Sequence, residues 1–272
     1  MSTEPTATIN PHHASITIPA ANMRRVLARL KHAVGTNDVR LYLYGIYFDM
    51  AAERRCAVAT DGHVLARQEL RIIGSVGTMP SVILPWHRND KTLPDLARHL
   101  TARHTAPVII TSFPTAVKGH SITISTDGFL RETFAIDGTY PDYGRCFPKG
   151  PPHIITVDRL VLLDAILSFE NARLKGKEAK QRTIGLSAEG RAVTLAENND
   201  GIFEYGHSIE IPAEVNFCGA YELRFRRHQL AAVLKAMPGK TVTLAFHGDR
   251  LDPVIITDPS DDTITHLIMP CV

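Results

Sequence analysis

The chain has 272 residues, of which 44% are hydrophobic, and a formal net charge of +2 at pH 7. This length allows one large or two medium domains, each with its own core. No apolar run approaches the roughly 20 residues that span a bilayer, and residues 1–15 lack the basic-then-apolar pattern of an export signal. The cysteines form no CxxC pair, so neither a metal site nor a disulfide framework is indicated, and a cytoplasmic location fits best.

Helices and strands are both predicted in the first half of the chain, after a tail at residues 1–15. An amphipathic helix is indicated at 20–34 by apolar residues at helical spacing, and TDGH at 60–63 is typical of a turn. The predicted order is strand (15–18), helix (20–34), strands (40–50, 55–59 and 82–84), helix (92–103) and strands (108–111, 121–125 and 129–136).

The second half repeats this order at an offset of roughly 130 residues, and 140–152 is the natural boundary. Thr156 is the predicted cap of its first helix. The elements are helix (157–174), strands (182–186, 192–197 and 205–211), helix (226–237) and strands (241–246, 253–257 and 263–269). We therefore predict an α+β protein with two domains of one kind, at 16–148 and 149–272.

Basic residues concentrate on the predicted helices, whereas many carboxylates fall in strand turns, such as Asp252, Asp258, Asp261 and Asp262. If the helices face one side, that side would be positive and would bind phosphates without reading bases. Base-stacking aromatic residues are missing from the helices, which favours duplex DNA over single strands. The alternative is that Lys and Arg are simply good formers of solvated helices.

An enzymatic function has little support in the sequence. The candidate catalytic pairs are Asp61 with His63 and His12 with His13, but no HExxH, GxSxG, P-loop or GxGxxG motif is present. A lone DGH is more often a strand turn. We expect no catalytic residue, no metal and no cofactor.

Four segments, in order and at sensible spacing, point to one family. They are MRRVLARLKHAV with NDVRLYLYGIYF (23–34 and 37–48), ATDGHVLA (59–66), DGTYPDYGRCFP (137–148) and the ending HLIMPCV (266–272). They resemble the start of the middle domain, the ATDGHRLA stretch, the FPDYRRVLP segment and the MPMRL-type ending of the bacterial β sliding clamp. That family is the processivity subunit of the replicative DNA polymerase III, and the resemblance covers about residues 16 to 272.

The resemblance implies a DNA clamp fold, with two helices in each domain packed on outer antiparallel β-sheets, and a hydrophobic pocket for short peptides of polymerases and other clamp users. An apolar groove with a few polar groups suits such a peptide. The matching positions are Leu43, Thr60, Gly62, His63, Leu65, Pro141, Arg145, Cys146, Leu267, Ile268, Met269, Pro270 and Cys271.

The resemblance together with the basic helices implies sequence-independent contacts with double-stranded DNA. The expected contact residues are Arg24, Arg25, Arg29, Arg40, Arg98, Arg173, Lys175 and Arg227. A clamp loader is a further expected partner, and no membrane is involved.

The chain departs from the family in three places and in its extent. Val64 replaces an arginine, Gly144 and Arg145 stand at a pair of arginines, and Cys271 and Val272 stand at the usual Arg-Leu. The family's first domain has no counterpart, so a closed ring would need a head-to-tail homotrimer with a rotation of about 120° per subunit. The alternative is a non-encircling protein, of phage or mobile-element origin, that modulates a host clamp or its partners.

Overall fold

The computed structural model describes residues 13–36, 39–53, 55–86, 89–115, 119–169, 182–198, 208–249 and 252–271. In the first half of the chain, the described elements are, in order, β1 (Ala14–Ile18), α1 (Ala20–Leu30), β2 (Gly45–Asp49), β3 (Cys56–Thr60), β4 (Val64–Glu69), β5 (Gly74–Val76), β6 (Val82–Pro85), α2 (Thr92–His99), β7 (Val108–Pro114), β8 (His120–Thr126) and β9 (Phe129–Phe134).

The second half contains the same kinds of element. They are, in order, β10 (His153–Asp158), α3 (Arg159–Ser168), β11 (Thr183–Glu189), β12 (Ala192–Asn198), β13 (Ser208–Val215), β14 (Tyr221–Arg226), α4 (Arg227–Ala236), β15 (Thr241–Phe246), β16 (Val254–Asp258) and β17 (Asp261–Ile268). Short 3-10 helices lie at Lys31–Ala33, Leu41–Leu43 and Tyr143–Cys146.

The chain packs into two compact units. The first unit comprises Met1–Ala28, Val39–Ala57 and Leu70–Tyr140. The second unit comprises Arg29–Asp38, Val58–Glu69 and Pro141–Val272. The α+β fold with four helices and antiparallel sheets is confirmed. The domain limits at residues 148 and 149 remain a prediction, and two segments from the first half of the chain pack with the second unit.

In the first unit, a five-stranded antiparallel sheet runs in the order β5-β1-β7-β8-β9, and β2 pairs with β6. The apolar stripe predicted for α1 is buried, with Met23, Val26 and Leu27 fully covered. This burial supplies most of the stability of a helix only 11 residues long. The Arg24 guanidinium donates a hydrogen bond to the Thr101 carbonyl oxygen (2.8 Å), which ties α1 to the end of α2.

In the second unit, nine strands follow one another in the order β14-β11-β12-β13-β10-β15-β16-β17-β4. Strand β13 joins two groups of strands, because residues 208–212 pair with β12 and residues 213–215 pair with β10. Strand β17 pairs with β4 over Ile264–Ile268 and Val64–Gln68. The second half of the chain thus binds a strand from the first half along five residue pairs.

The predicted start of α3 is wrong. Thr156 lies inside β10, and the helix is capped by Asp158, whose side chain accepts hydrogen bonds from the backbone N–H groups of Leu160 and Val161. A carboxylate at this position satisfies amides that the helix leaves unpaired. Residues 170–174 of the predicted helix lie outside the described residues.

Other elements also differ from the predictions. Residues 41–43 form a 3-10 turn rather than strand, α2 ends at His99 rather than 103, and β4, β5 and β14 were not predicted. None of the described helices has the length and apolar character needed to cross a membrane.

Candidate functional site

The TDGH segment forms a tight turn between β3 and β4. The Asp61 carboxylate closes it, because its Oδ1 accepts hydrogen bonds from the backbone N–H of His63 (2.8 Å) and of Val64 (2.7 Å). The Thr60 hydroxyl donates to the Val64 carbonyl oxygen at 2.7 Å. Gly62 has a φ of 88°, which side-chain-bearing residues rarely adopt. Thr60, Asp61 and Gly62 therefore each have a role in the backbone conformation of the turn.

Asp61 is explained by this turn without any catalytic role. Its second oxygen, Oδ2, accepts a hydrogen bond from the Gln229 amide of α4 at 3.3 Å, and the neighbouring His63 side chain is exposed. Over the parts of the chain that the structure describes, no group of three or more His, Cys, Asp or Glu residues could hold a metal ion.

The C-terminal segment lies directly beside the turn. The Leu267–Leu65 and Ile268–Val64 pairs place β17 against β4, and the Met269 N–H then donates to the His63 carbonyl oxygen at 2.8 Å. Farther on, the Cys271 N–H donates to the Arg224 carbonyl oxygen at 2.7 Å. Backbone hydrogen bonds therefore hold two of the predicted pocket segments together within the second unit.

The predicted pocket residues divide into buried and accessible groups. Leu65, Leu267 and Ile268 are at most 5% exposed, and Leu43, in the first unit, is 1% exposed. These four side chains offer almost no surface to a peptide in this conformation and instead belong to the hydrophobic core. The exposed or half-buried positions are Thr60, Gly62, His63, Pro141, Arg145, Cys146, Met269, Pro270 and Cys271.

The 3-10 helix at Tyr143–Cys146 carries the third predicted pocket segment. The Arg145 guanidinium forms an ion pair with Asp142 at 2.9 Å, and both side chains are exposed. Just beyond, the Phe147 ring lies 5.0 Å from the Arg67 guanidinium of β4. This cation–π contact links the 3-10 segment to the strand that carries the turn.

Basic side chains are exposed on both helices of the first unit and on the segment after α1. Arg25 and Arg40 are exposed, and Arg24 is half-buried. Arg98 is exposed and forms an ion pair with Asp95, the only carboxylate of α1 and α2. Exposed positive side chains therefore outnumber the carboxylates on these two helices.

Comparison with known proteins shows which family this chain is similar to. The family model for the DNA polymerase III beta subunit, central domain, matches residues 17–142. The beta sliding clamp of Caulobacter vibrioides is 28% identical over 261 residues, covering 94% of this chain and 65% of that protein. The Escherichia coli K12 beta sliding clamp is 28% identical over 255 residues, covering 93% and 64%. This chain is thus similar to beta sliding clamps over nearly its whole length.

A solved structure of a family member has the same fold. The sliding clamp of Pseudomonas aeruginosa bound to griselimycin superposes with a TM-score of 0.79 at 25% identity, over 99% of this chain and 68% of that one. The chain spans about 65% of the length of the Caulobacter relative that it matches.

Two of the arginines predicted to contact DNA are buried, and this corrects their assignment. Arg29 is 7% exposed, and its guanidinium binds the Asp261 carboxylate (2.9 Å) and the Gln68 side-chain oxygen (2.7 Å). Arg227 is 8% exposed at the start of α4. Neither side chain is available to a phosphate. Arg173 and Lys175 lie outside the described residues.

A pair of histidines that pack together in the second unit was not predicted from the sequence. The rings of His32 and His266 lie 5.2 Å apart between centroids. Burial lowers the pKa of His32 to about 4, against an opposing effect of Asp61. Burial and the neighbouring His32 hold the pKa of His266 well below its ordinary range. Both histidines are therefore neutral in the folded protein at pH 7. A pairing between residues more than 200 positions apart leaves no local pattern in a sequence.

Acid is expected to destabilise the fold through this pair. The unfolded chain, with a His32 pKa of 6.5, binds a proton more readily than the folded chain, with a pKa of about 4. Above pH 6.5, His32 is neutral in both states and does not lower the stability of the fold. As the pH drops to 4, the free energy of unfolding should fall by on the order of 3 kcal/mol. Urea unfolding at a series of pH values measures this fall.

The variant His32→Gln should flatten this pH dependence, whereas His228→Gln, at an exposed histidine of α4, should keep it. Equal slopes for His32→Gln and the unchanged protein would contradict the assignment.

Proposed function

We propose that this chain is a DNA sliding clamp, a non-enzymatic processivity factor that encircles duplex DNA and tethers a polymerase to it. The observation that carries the proposal is the end-to-end similarity to proteins named beta sliding clamps, over 94% of this chain. Encirclement lets weak phosphate contacts coexist with sliding, and tethering raises the effective concentration of the polymerase at the DNA. The place of action is the cytoplasm.

The charge distribution on the first unit supports the DNA contact. Helices α1 and α2 together carry one carboxylate, Asp95, while Arg25 and Arg98 are exposed on them and Arg40 is exposed nearby in the sequence. Guanidinium groups suit phosphate oxygens, and contacts to the backbone carry no sequence information. Binding should therefore be independent of sequence and weaken steeply with salt.

A head-to-tail homotrimer is the proposed assembly. Three copies of a chain with two clamp domains close a ring if each is rotated by about 120° relative to the next. Light scattering tests this directly, since one subunit has a mass of 30.0 kDa. The expected mass is about three times that of one subunit. We also expect retention on closed circular DNA that is lost when the DNA is cut. A stable monomer would overturn the proposed ring.

The second proposed activity is capture of short apolar peptides from polymerases and other clamp users. The accessible positions around the turn include His63, Met269 and Pro270, and backbone hydrogen bonds hold their two segments together. Methionine adapts its shape to several partners. A closed ring must open before it can encircle DNA, so a clamp loader is a further proposed partner.

Replacing Met269 by alanine should weaken binding of a polymerase tail peptide by about tenfold, because an apolar contact is lost. Fluorescence anisotropy with a labelled peptide carrying a bacterial clamp-binding sequence measures the change. The matched control is Met50→Ala, at a half-buried methionine of the first unit. Peptide affinity equal in both variants, with the assembly intact, would count against this pocket.

One observation favours the alternative, a non-encircling modulator of a host clamp. Helix α3 exposes Leu160 and Val161, and its one basic residue, Arg159, donates hydrogen bonds to the carbonyl oxygens of Gly239 and Leu234. A helix that lines a DNA channel is expected to carry free cations. A monomer that binds a host clamp or its polymerase, without retention on circular DNA, would support this alternative.

A further inference from the structure

The C-terminal segment of the chain lies between the TDGH turn and strand β14. The Met269 N–H donates to the His63 carbonyl oxygen of the turn at 2.8 Å, and the Cys271 N–H donates to the Arg224 carbonyl oxygen of β14 at 2.7 Å. Helix α4 also contacts the turn, because the Gln229 amide donates to the carboxylate of the turn at 3.3 Å. The junction of β14 and α4 therefore forms one side of the accessible positions proposed to capture a peptide. The predicted pocket residues did not include this side.

Two arginines project from the solvent face of β14 at this junction. Successive side chains of a strand point to opposite faces, and Leu223 and Phe225 are at most 3% exposed, on the core face. Arg224 and Arg226 therefore share the other face, and both are half-buried. The Arg224 guanidinium binds the Glu222 carboxylate at 2.8 Å. Within the described parts of the chain, no carboxylate forms an ion pair with Arg226.

The start of α4 adds to the positive potential at this junction. Arg226 directly precedes the helix, and its side chain makes no capping hydrogen bond to the first turn. That turn contains no acidic residue, and it includes the exposed His228. The N-terminus of a helix carries a partial positive charge that favours a nearby anion. Arg226 and the helix start therefore favour the same kind of group.

The carboxylates of the TDGH turn and of β14 already have partners. Asp61 accepts hydrogen bonds at one oxygen from the turn and at the other from α4, and Glu222 is bound to the neighbouring arginine. Val64 and Cys271 stand where the resembled motifs have arginines. The positive side of this groove therefore comes from β14, and Arg226 is its excess cation.

We propose that Arg226, together with the start of α4, selects peptides that carry a carboxylate beside their apolar residues. The proposal rests on the peptide capture of the proposed function and adds the charge of the partner. Met269 and Pro270 offer the apolar contact, and Arg226 pairs with the acidic group. A guanidinium binds a carboxylate through two parallel N–H donors. The carboxylate can come from an aspartate or glutamate side chain or from the end of the peptide.

A single carboxylate suits this face of β14 better than the backbone of DNA. Duplex DNA presents a continuous row of negative charges, about one for every 1.7 Å of its axis. Glu222 lies on the same face as Arg226 and would repel such a row, whereas it does not prevent one carboxylate from binding one guanidinium. The charges of this face therefore favour an acidic peptide.

Fluorescence anisotropy with matched peptides tests the selection. Two forms of the labelled clamp-binding peptide carry aspartate or asparagine beside the apolar residues, and both have an amidated end. At low salt, the unchanged protein should bind the aspartate form about fivefold more tightly, and added salt should reduce this ratio. A third form, with asparagine and a free carboxyl end, shows whether the end of the peptide can supply the charge.

The variant Arg226→Gln should lower the ratio to below about twofold, with little change in binding of the asparagine form. The matched control is Arg191→Gln, at an exposed arginine in a loop of the second unit. It has the same change in net charge and should keep the ratio of the unchanged protein. Circular dichroism establishes that each variant is folded. Equal ratios for the two variants would overturn the role of Arg226.

The outcomes separate this inference from the function on which it rests. If the unchanged protein binds the aspartate and asparagine forms equally well, the selection of a carboxylate is wrong and peptide capture stands. If it binds neither form, peptide capture fails and the selection fails with it. A loss of DNA retention in Arg226→Gln, with an unchanged peptide ratio, would assign Arg226 to DNA and overturn the proposal.

Discussion

Charge reversal at Arg25 and Arg40 is expected to abolish retention on closed circular DNA. Both side chains are exposed, and each substitution to glutamate would replace an attraction to phosphate by a repulsion in every copy of the proposed ring. The loss should be at least about tenfold in the lifetime of the complex near physiological salt, and the dependence on salt should become shallower, because fewer counterions are released. The measurement is co-elution of protein with nicked circular DNA over a range of salt concentrations.

The matched control reverses Lys149 and Arg191, which are exposed in loops of the second unit. This variant has the same change in net charge but should keep its DNA retention and its salt dependence. Light scattering must give the same mass for both variants. If both lose DNA equally, a general change in charge explains the effect, and the proposed contacts of Arg25 and Arg40 are wrong.

Replacing Arg29 by alanine is expected to lower the free energy of unfolding by about 3 kcal/mol, because it leaves the partner carboxylate without its counter-charge in a largely covered site. Although burial opposes ionisation of Asp261, hydrogen bonds from Thr263 and the charge of Arg29 hold the pKa of this carboxyl below its ordinary value. The carboxylate is therefore charged at pH 7, and loss of Arg29 is felt fully there. Urea unfolding at pH 7 measures the change.

The control for this prediction is Arg25→Ala, at an exposed arginine of the same helix, which should change stability by less than about 0.5 kcal/mol. The double variant Arg29→Met with Asp261→Leu should recover much of the lost stability, since it removes both charges. Equal effects of Arg29→Ala and Arg25→Ala would show that the ion pair contributes nothing.

Local sequence patterns predicted the helices in which apolar residues recur at a regular spacing. Met23, Val26, Leu27 and Leu30 of α1 recur at helical spacing, and all four lie in the core. The same periodicity placed α4 within one residue of its observed ends, Arg227–Ala236. Strand β10 was missed because its apolar positions, Ile155 and Val157, run straight into a helix that is apolar on most of its surface. Strand β1 also leads directly into a helix, and this parallel could have indicated a strand before α3.

The predicted site residues depended on long-range packing, which a sequence does not display. Arg25 and Arg29 lie on the same helix and look alike in the sequence, yet one is exposed and the other is buried against Asp261. A basic residue is available to DNA only if no carboxylate from a distant strand has already bound it. Likewise, Leu65 and Leu267 matched a pocket by motif but pair across two strands in the core.

The assignment of segments to the two units has a consequence for how this protein can be divided. Residues 29–38 and 58–69 belong to the second unit although they precede much of the first in the chain. A gene fragment beginning at residue 149 would therefore encode β17 without β4 and Asp261 without Arg29. The halves are repeats in pattern but are not interchangeable modules. Recombination at their apparent border would separate strands and charges that pack together, and swapped or isolated halves should fold poorly.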